Sequence, residues 1–447
     1  MRLFWFILTP IQVFTLSFVL IILIGTAVLT VPAAVNGEPL SFIDALFTST
    51  SAMCVTGLIV ADTGSKFTFF GQAVIITLIQ VGGLGIMTFS TFILLVIGKK
   101  IGLTGSYLVQ EGFSESGSLR ISRLIFFIII FTAVMECTGA LFLFFDFKDE
   151  TGCGYAVWSS VFHSISAFCN AGFSLNADSF CRYRDNIPVN LVMTTLIIMG
   201  GIGFPVVLEV LRYCRCAVRR KRARLNIHTR IVLIVTAALL IIGTGILYIS
   251  EPQCHAGKHP ALTAYFQSVT ARTAGFNTIQ FSNASDATLC ATNALMFVGG
   301  SSGSTAGGIK TTTLMVILIL AWAHISGRER PEFSNRTISQ KNTVKALSLL
   351  VLFLIIVLIA TFSLLLIHEY RDIPRPFQGA LFEVVSAIGT VGLSTGFTGH
   401  LTCAGKLIII CVMFLGRLGP LAIARVFISG KQRKGMYTYP EENLMIG

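Results

Sequence analysis

Eight apolar segments, each long enough to cross a lipid bilayer, dominate the sequence. They lie at residues 13–33, 72–97, 123–145, 189–211, 231–249, 287–325, 344–367 and 405–428. A spanning helix needs about 20 consecutive apolar residues. The chain is 54% hydrophobic and 12% charged, whereas soluble proteins carry about 25% charged residues. The sequence therefore predicts an all-α integral membrane protein. The first segment is longer than the apolar run of a cleaved signal peptide, so we expect it to be retained.

The basic residues predict how the chain is oriented. The net charge is +12, and basic clusters follow the even-numbered segments at Lys99 and Lys100, at 212–230, at Arg328 and Arg330, and at 431–434. Cytoplasmic loops of membrane proteins carry an excess of Lys and Arg. We therefore expect a multi-pass protein of the cytoplasmic membrane with both termini in the cytoplasm. Clusters confined to short loops do not indicate nucleic-acid binding.

The outer loops contain four short stretches that align with one another. They read FTSTSAMCVTGL (47–58), FHSISAFCNAGF (162–173), YFQSVTARTAGF (265–276) and FEVVSAIGTVGL (382–393). Their shared glycines lie 115, 103 and 117 residues apart, and glycine-rich patches follow in step at 81–85, 199–203, 298–303 and 415–419. A recurring pattern of this kind indicates an internal repeat. We predict four repeats, at 1–100, 101–225, 226–330 and 331–447, the last including a C-terminal tail.

Each repeat is expected to form a helix, a re-entrant pore loop and a second helix. Eight transmembrane helices and four pore helices would then surround a pseudo-fourfold central pore. Non-helical backbone at membrane depth is tolerated only where it is buried or lines a watery path, and rings of carbonyl oxygens can replace the hydration shell of an ion. The predicted selectivity filter consists of Val55, Thr56, Gly57, Asn170, Ala171, Gly172, Thr273, Ala274, Gly275, Thr390, Val391 and Gly392.

A polar, glycine-rich stretch, GGSSGSTAGGIKTTT (299–313), interrupts the sixth segment. Each glycine disfavours helix by about 1 kcal/mol, so we predict a break there and an intramembrane loop. A phosphate-binding loop is disfavoured, because Ile309 separates Gly308 from Lys310 and no strand precedes the stretch. Simple close packing of helices by small residues remains an alternative, mainly for the patches at 81–85 and 199–203.

Four other polar residues are singled out. Arg417 occupies the position of a patch glycine, and an arginine inside a spanning helix usually faces a cavity. Its alternative role is structural pairing with helix ends or with a buried carboxylate, namely Glu136, Glu209 or Glu383. The Asn170 side chain either faces an ion or braces its loop. We expect Arg272 to tie its loop to neighbouring carbonyl or carboxylate groups, and His163 to be a hydrogen-bonded scaffold residue.

The eleven cysteines have no metal-ligand spacing. Cys153 with Cys181, and Cys254 with Cys290, lie within one outer region each, so disulfides would form there if that side is oxidising. Spacing leaves both pairings open. No arrangement of residues suggests covalent catalysis, and we do not expect an enzyme.

The motifs CVTGL, FCNAGFS, RTAGFNTI and GTVGLSTG, with YPEENLMIG at 439–447, resemble the Trk/Ktr/HKT superfamily of potassium transporters. Within it, the chain is most similar to the KtrB-type membrane subunits of bacterial Ktr uptake systems, over essentially its whole length. The resemblance implies a potassium filter at the four triplets. Serine in the first loop accompanies sodium preference in related plant transporters, so Gly57 favours potassium.

The resemblance also implies a mechanism and partners. The loop would be a gate formed by Gly299, Gly300, Ser301, Ser302, Gly303, Ser304, Thr305, Ala306, Gly307, Gly308 and Lys310. Arg417 would be an electrostatic barrier below the filter. Such subunits form homodimers on a cytosolic ring of KtrA-type subunits that bind ATP or ADP. No covalent cofactor is implied; K⁺ would be the cargo, and Na⁺ a coupling or activating ion. Proton-coupled and sodium-conducting transport stay open, as does a receptor or structural membrane protein without ion flux.

Overall fold

The computed structural model describes residues 10–85, 121–220, 224–328, 330–334, 336–367 and 375–420. These residues are helical apart from loops and two short strands, β1 (Glu332–Phe333) and β2 (Arg336–Thr337), which pair antiparallel. The all-α prediction is confirmed for this part of the chain. The basic residues at 99–100 and 431–434 and the motif at 439–447 lie outside it.

The described α-helices are numbered in chain order. They are α1 (Pro10–Leu29), α2 (Phe42–Met53), α3 (Thr63–Lys66), α4 (Phe69–Gly83), α5 (Ile121–Thr151), α6 (Cys153–Phe168), α7 (Ile187–Ile202), α8 (Phe204–Val218), α9 (Ile227–Ser250), α10 (Pro260–Thr270), α11 (Asp286–Phe297), α12 (Thr311–Ile325), α13 (Gln340–Leu365), α14 (Pro376–Gly389) and α15 (Cys403–Leu418).

Four described helices are long and apolar enough to cross a membrane unaided, within α1, α5, α9 and α13. The apolar segment at 189–211 is not one continuous helix, because α7 and α8 meet at an angle of 100°. Gly203 has a φ of 98° at the bend. Pro205 follows, and a proline ring clashes with the carbonyl four residues earlier in a continuous helix. The sixth segment consists of α11 and α12, separated by non-helical residues 298–310.

Four short helices, α2, α6, α10 and α14, form much of the protein interior. Each pairs with a preceding long helix. In three cases a serine binds a carbonyl oxygen of that helix: Ser49 to Ile22 at 2.8 Å, Ser164 to Glu136 at 2.7 Å, and Ser268 to Leu240 at 3.1 Å. Gly25, Gly139 and Gly243 on the long helices leave room for these serines. Short polar bonds thus anchor the short helices among apolar neighbours.

The third short helix is offset by one residue from the sequence alignment. The aligned aromatic rings of Phe47, Phe162 and Phe382 are fully buried, but in α10 the buried ring is Phe266, whereas Tyr265 is only partly buried. The anchoring serine of α10 likewise lies seven residues before its glycine, whereas Ser49 and Ser164 lie eight residues before theirs. The segment leading to Gly275 is therefore one residue shorter.

Candidate functional site

After each short helix the chain runs through three extended or turning residues that end in glycine, at 55–57, 170–172, 273–275 and 390–392. These are called the glycine stretches below. The first residue of each has a positive φ, between 50° and 74°. The glycines have φ values of 72° to 93°, a region that residues with a side chain rarely adopt. These φ values favour glycine at the last position of each stretch.

The four glycine stretches form a closed ring. A Cβ atom added to Gly57 would meet the backbone of residues 171–172, and one added to Gly172 would lie 2.9 Å from the carbonyl oxygen of Ala274. The series continues from Gly275 to residues 391–392, and from Gly392 back to residues 56–57. Each stretch thus abuts the next in chain order. The four glycines face one another closely, and no side chain fits at any of them.

Hydrogen bonds fix which way the stretches turn. The N–H groups of Thr56, Ala171 and Val391 each donate to a carbonyl oxygen of their own short helix at 2.8 Å, and Ala274 does so at 3.0 Å. Within the described residues, the carbonyl oxygens of the same four residues accept no backbone hydrogen bond. All four residues are buried. The ring therefore gathers buried carbonyl oxygens with free acceptor capacity, an arrangement suited to a dehydrated cation.

Asn170 braces the ring from behind. With its amide nitrogen turned toward α7, the side chain donates to the carbonyl oxygens of Ile197 at 3.1 Å and Ala167 at 3.0 Å. Of the two interpretations that the sequence left open, the geometry supports the brace.

The glycine-rich patches pack directly beneath the ring. A Cβ atom at Gly82, Gly200 or Gly416 would collide with the carbonyl oxygen of Met53, Phe168 or Ile388, each four residues before a ring glycine. Close packing is thus a real requirement for these glycines. In the third patch, the corresponding neighbour of Gly299 is instead the carbonyl group of Gly307, which belongs to the 298–310 loop.

The 298–310 loop closes on itself at its base. The Gly299 N–H donates to the carbonyl oxygen of Ile309 at 2.9 Å, and the Thr311 N–H donates to the carbonyl oxygen of Gly300 at 3.1 Å. The loop lies against the ring, because Cβ atoms added at Gly299 and Gly307 would meet the side chains of Thr273 and Thr390. It therefore sits directly behind the third and fourth glycine stretches.

The loop is also fastened to the bend between α7 and α8. These are backbone bonds. The N–H of Ser301 donates to the carbonyl oxygen of Gly201 at 3.0 Å, that of Thr305 to Gly200 at 3.3 Å, and that of Phe204 to Gly303 at 3.1 Å. The Thr305 hydroxyl adds a bond to the carbonyl oxygen of Phe168 at 3.3 Å. Sequence reasoning missed this attachment; the Gly-Phe-Pro at 203–205 was the available signal for a bend, although not for what it contacts.

Two cations hold the carbonyl groups of the loop. Lys310 Nζ donates to Ala306 O at 2.6 Å and lies 3.4 Å from Gly307 O. The Arg417 guanidinium donates through one nitrogen to Thr305 O and through the other to Gly82 O, at the end of α4. Arg417 thus links the loop to a helix end. Positive charge is concentrated where the loop meets α4 and α15.

The suggested carboxylate partners of Arg417 are occupied elsewhere. Glu136 accepts a bond from Gln80 at 3.1 Å, Glu209 accepts one from Thr229 at 2.5 Å, and Glu383 accepts one from Thr398 at 2.7 Å. None of the ion pairs among the described residues includes Arg417. Of the structural alternatives, pairing with a helix end is present and pairing with a carboxylate is not.

Two further expectations have opposite outcomes. His163 is a scaffold residue: Nδ1 lies 2.8 Å from Ser159 O, and Nε2 accepts from the Leu175 N–H at 3.2 Å. Arg272 does not make the expected bonds to carbonyl or carboxylate groups. Its buried Nε has no hydrogen-bond partner, and the described residues give it no ion pair. It lines a small cavity with residues of α7, α9 and α10.

The cysteines are all free thiols in the structure, so neither Cys153 with Cys181 nor Cys254 with Cys290 is joined. Cys181 packs instead against Asn277, whose carbonyl oxygen lies 3.8 Å from its sulfur. Among the described residues, no group of three or more His, Cys, Asp or Glu side chains is placed to hold a metal ion.

Known proteins match the chain over most of its length. The model of the TrkH family, described as cation transport protein, matches residues 9–434. The Ktr system potassium uptake protein B of Bacillus subtilis is 41% identical over 99% of this chain and 98% of its own. The potassium/sodium uptake protein NtpJ of Enterococcus hirae is 37% identical over 98% of both chains.

The fold has a solved counterpart. The crystal structure of the potassium transporter TrkH from Vibrio parahaemolyticus superposes with a TM-score of 0.72 at 18% identity, covering 93% of this chain and 84% of that one. The resemblance identified from the four glycine motifs is thereby confirmed. With a family model that spans nearly the whole sequence and a relative 41% identical along its length, this chain belongs to the TrkH family of cation transport proteins.

Proposed function

We propose that the protein takes up potassium across the cytoplasmic membrane, through a pore at the centre of the four glycine stretches. The observation that carries this proposal is the closed ring, in which four buried carbonyl oxygens accept no backbone hydrogen bond from the described part of the chain. In this proposal four helix, pore-loop and helix repeats surround the pore, and the stretches form its filter. The N–H groups of Thr56, Ala171, Ala274 and Val391 are held by the short helices, which leaves the carbonyl oxygens of these four residues available to a passing cation.

Potassium is the proposed ion because the ring is built from backbone oxygens around glycines. A rigid set of carbonyl groups can replace the hydration shell of an ion whose size it matches. The relative from Bacillus subtilis is named a potassium uptake protein, whereas the one from Enterococcus hirae is named a potassium/sodium uptake protein. Sodium conduction is therefore the second candidate function. We propose Na⁺ as a coupling ion rather than the main cargo, and no covalent cofactor.

The 298–310 loop is proposed to be the gate. Two features support this role: the loop lies against the ring, and its carbonyl groups are held by Lys310 and Arg417 rather than by a continuous helix. A loop fastened by a few replaceable bonds can adopt a second arrangement, and such motions occur in microseconds to milliseconds. Arg417 is proposed to add an electrostatic barrier to cations beneath the filter.

The proposed assembly rests on the resemblance to KtrB-type subunits. We propose a homodimer with one pore in each protomer, both termini in the cytoplasm, and regulation by a cytosolic ring of KtrA-type subunits that bind ATP or ADP.

Uptake into liposomes tests the proposal. Purified protein is reconstituted, and potassium and sodium uptake are compared with and without the nucleotide-binding ring. We expect potassium uptake to exceed sodium uptake and to rise when the ring and ATP are added. Equal uptake of both ions would support the sodium-conducting candidate. No uptake by protein that unfolds cooperatively on heating would favour a receptor or structural role, and would refute transport.

A further inference from the structure

Helix α8 is basic and amphipathic, unlike its neighbours. It begins at the 100° bend after Ile202. Its first turns are buried, whereas its second half exposes both apolar and basic side chains, with Val218 85% exposed. The apolar residues are Leu211, Tyr213 and Val218. A short helix of this composition matches neither a spanning helix nor an ordinary soluble one, but it is typical of helices that lie in a membrane interface.

Two arginines of α8 and the arginine that directly follows it lie on one side. Arg212, Arg215 and Arg219 are spaced three and four residues apart, so their side chains leave the helix on the same side. All three are exposed, and none belongs to an ion pair among the described residues. The carboxylate of Glu209, the acidic residue of α8, already accepts hydrogen bonds from the Thr229 hydroxyl and from the backbone N–H of Asn226, both at 2.5 Å. Among the residues that the structure describes, the arginine face therefore has no counter-charge.

The bend gives this face a definite direction. If α7 crosses the bilayer, a helix turned by 100° runs nearly parallel to the membrane plane. The positive-inside pattern puts α8 on the cytoplasmic side, where anionic lipids give the membrane surface a negative potential. Apolar side chains can then enter the acyl region while the arginines reach phosphate groups. Charge and geometry agree on a lipid surface as the occupant.

The start of α8 is bonded to the 298–310 loop. The Phe204 N–H donates to Gly303 O, and a Cβ atom added at Gly203 would lie 3.0 Å from Ser302 O. Two more backbone bonds join Gly200 and Gly201 to the loop. Because the first residue of α8 is bonded directly to the loop, a restraint on the position of α8 also restrains the loop.

We propose that α8 binds the headgroups of anionic phospholipids through Arg212, Arg215 and Arg219, and that bound lipid holds the loop in the arrangement described above. Lipid binding is independent of the proposed transport function, whereas its effect on flux rests on it. Each arginine at an anionic surface strengthens attachment about fivefold. Because the loop is held closed, anionic lipid lowers the basal flux.

The test compares three variants in two membranes. One variant is R212Q/R215Q/R219Q, the second keeps the charge as R212K/R215K/R219K, and the control R328Q/R336Q/K341Q removes three exposed basic residues that do not belong to α8. Potassium flux is measured in vesicles of phosphatidylcholine and of an equal mixture of phosphatidylcholine and phosphatidylglycerol. The apparent Tm in detergent is measured with and without added phosphatidylglycerol, as a binding readout that needs no flux.

The unmodified protein, the lysine variant and the control should show a raised Tm with phosphatidylglycerol and a flux about fivefold lower in the anionic vesicles. The glutamine variant should show neither effect. A surface potential alone would concentrate cations and raise flux in every variant, which is the opposite sign. The same lipid response in all four proteins would refute the proposal, as would its loss in the control.

The remaining outcomes separate lipid from protein and binding from transport. If the glutamine variant keeps its lipid response but loses stimulation by the cytosolic ring, the arginine face binds protein and the lipid proposal is wrong. If the lipid-dependent Tm shift behaves as expected while no protein carries potassium in either membrane, the binding site stands and the proposed transport function fails.

Discussion

Replacing Gly57 by serine tests the ring at its most constrained point. The backbone there has a φ of 91°, and an added Cβ atom would collide with Ala171 O and lie 3.1 Å from the Cα atom of Gly172. A residue with a side chain costs about 1–3 kcal/mol in such a conformation. The first and second glycine stretches must move apart to accept it, which displaces the neighbouring Thr56 carbonyl.

The strain translates into a loss of selectivity. If it is relieved by shifting the carbonyl oxygens, their fit to a dehydrated potassium ion worsens by a similar energy. Since about 1.4 kcal/mol corresponds to tenfold, the preference for potassium over sodium should fall about tenfold to a hundredfold. Total flux is expected to change less, because a widened ring still conducts.

The assay is the ratio of potassium to sodium flux in reconstituted liposomes. Gly154 provides a matched control, because it lies on α6 with no atom within 4 Å of an added Cβ. Gly154→Ser should keep the parent's ratio, and Gly57→Ala should share most of the defect, because the clash belongs to the Cβ atom. An unchanged ratio in Gly57→Ser, from protein with the parent's apparent Tm, would show that this glycine does not shape the filter.

Other parts of the site give further predictions. Arg417→Gln should raise basal potassium flux about tenfold, because charge-assisted hydrogen bonds contribute about 1.5–3 kcal/mol each. The flux of Arg417→Lys should lie between those of the parent and the glutamine variant. Equal flux in the parent and both variants would contradict the role of the bond to Thr305 O. Deleting residues 302–306 keeps the hydrogen bonds at the base of the loop and should raise flux while weakening its dependence on the cytosolic ring; regulated flux like the parent's would remove the gate. Burial and the Asp178 carboxylate raise the pKa of the Cys181 thiol from 9.0 to about 11, against a smaller opposite effect of Arg184. Its labelling by maleimide should therefore be slow at neutral pH, increase up to about pH 11, and become faster in Asp178→Asn. Because the pKa is raised on folding, the protonated thiol's contribution to stability is complete below pH 9 and is lost as the pH rises toward 11.

Much of the site could be predicted because it repeats. Gly57, Gly172, Gly275 and Gly392 occupy equivalent places in four alignable stretches, and an added Cβ atom at any of them would collide with the backbone of the next stretch. The alignment was one residue off in α10, where Phe266 rather than Tyr265 is buried. A gapless comparison cannot detect a helix shortened by one residue when an aromatic residue occupies both positions.

Contacts between distant residues were beyond the sequence. Arg417 was singled out for its charge, but its partners are backbone oxygens 112 and 335 positions away, which carry no signature in the sequence. The bend at Gly203 was obscured for a different reason. Hydropathy over 189–211 is continuous, so the apolar pattern does not distinguish Gly203 and Pro205, which end a helix, from the apolar residues around them.

The bonds between the 298–310 loop and the junction of α7 and α8 limit how far the chain can be treated as a set of exchangeable modules. The loop between α11 and α12 finds its anchors about 100 positions earlier, on Gly200, Gly201 and Phe204. In a chimaera that takes residues 226–330 from a relative but not that relative's 199–204 segment, the loop of one protein would therefore have to bond to the α7–α8 junction of another. Exchanges should succeed when both segments are transferred together, and the natural unit for recombination is that pair rather than a quarter of the chain.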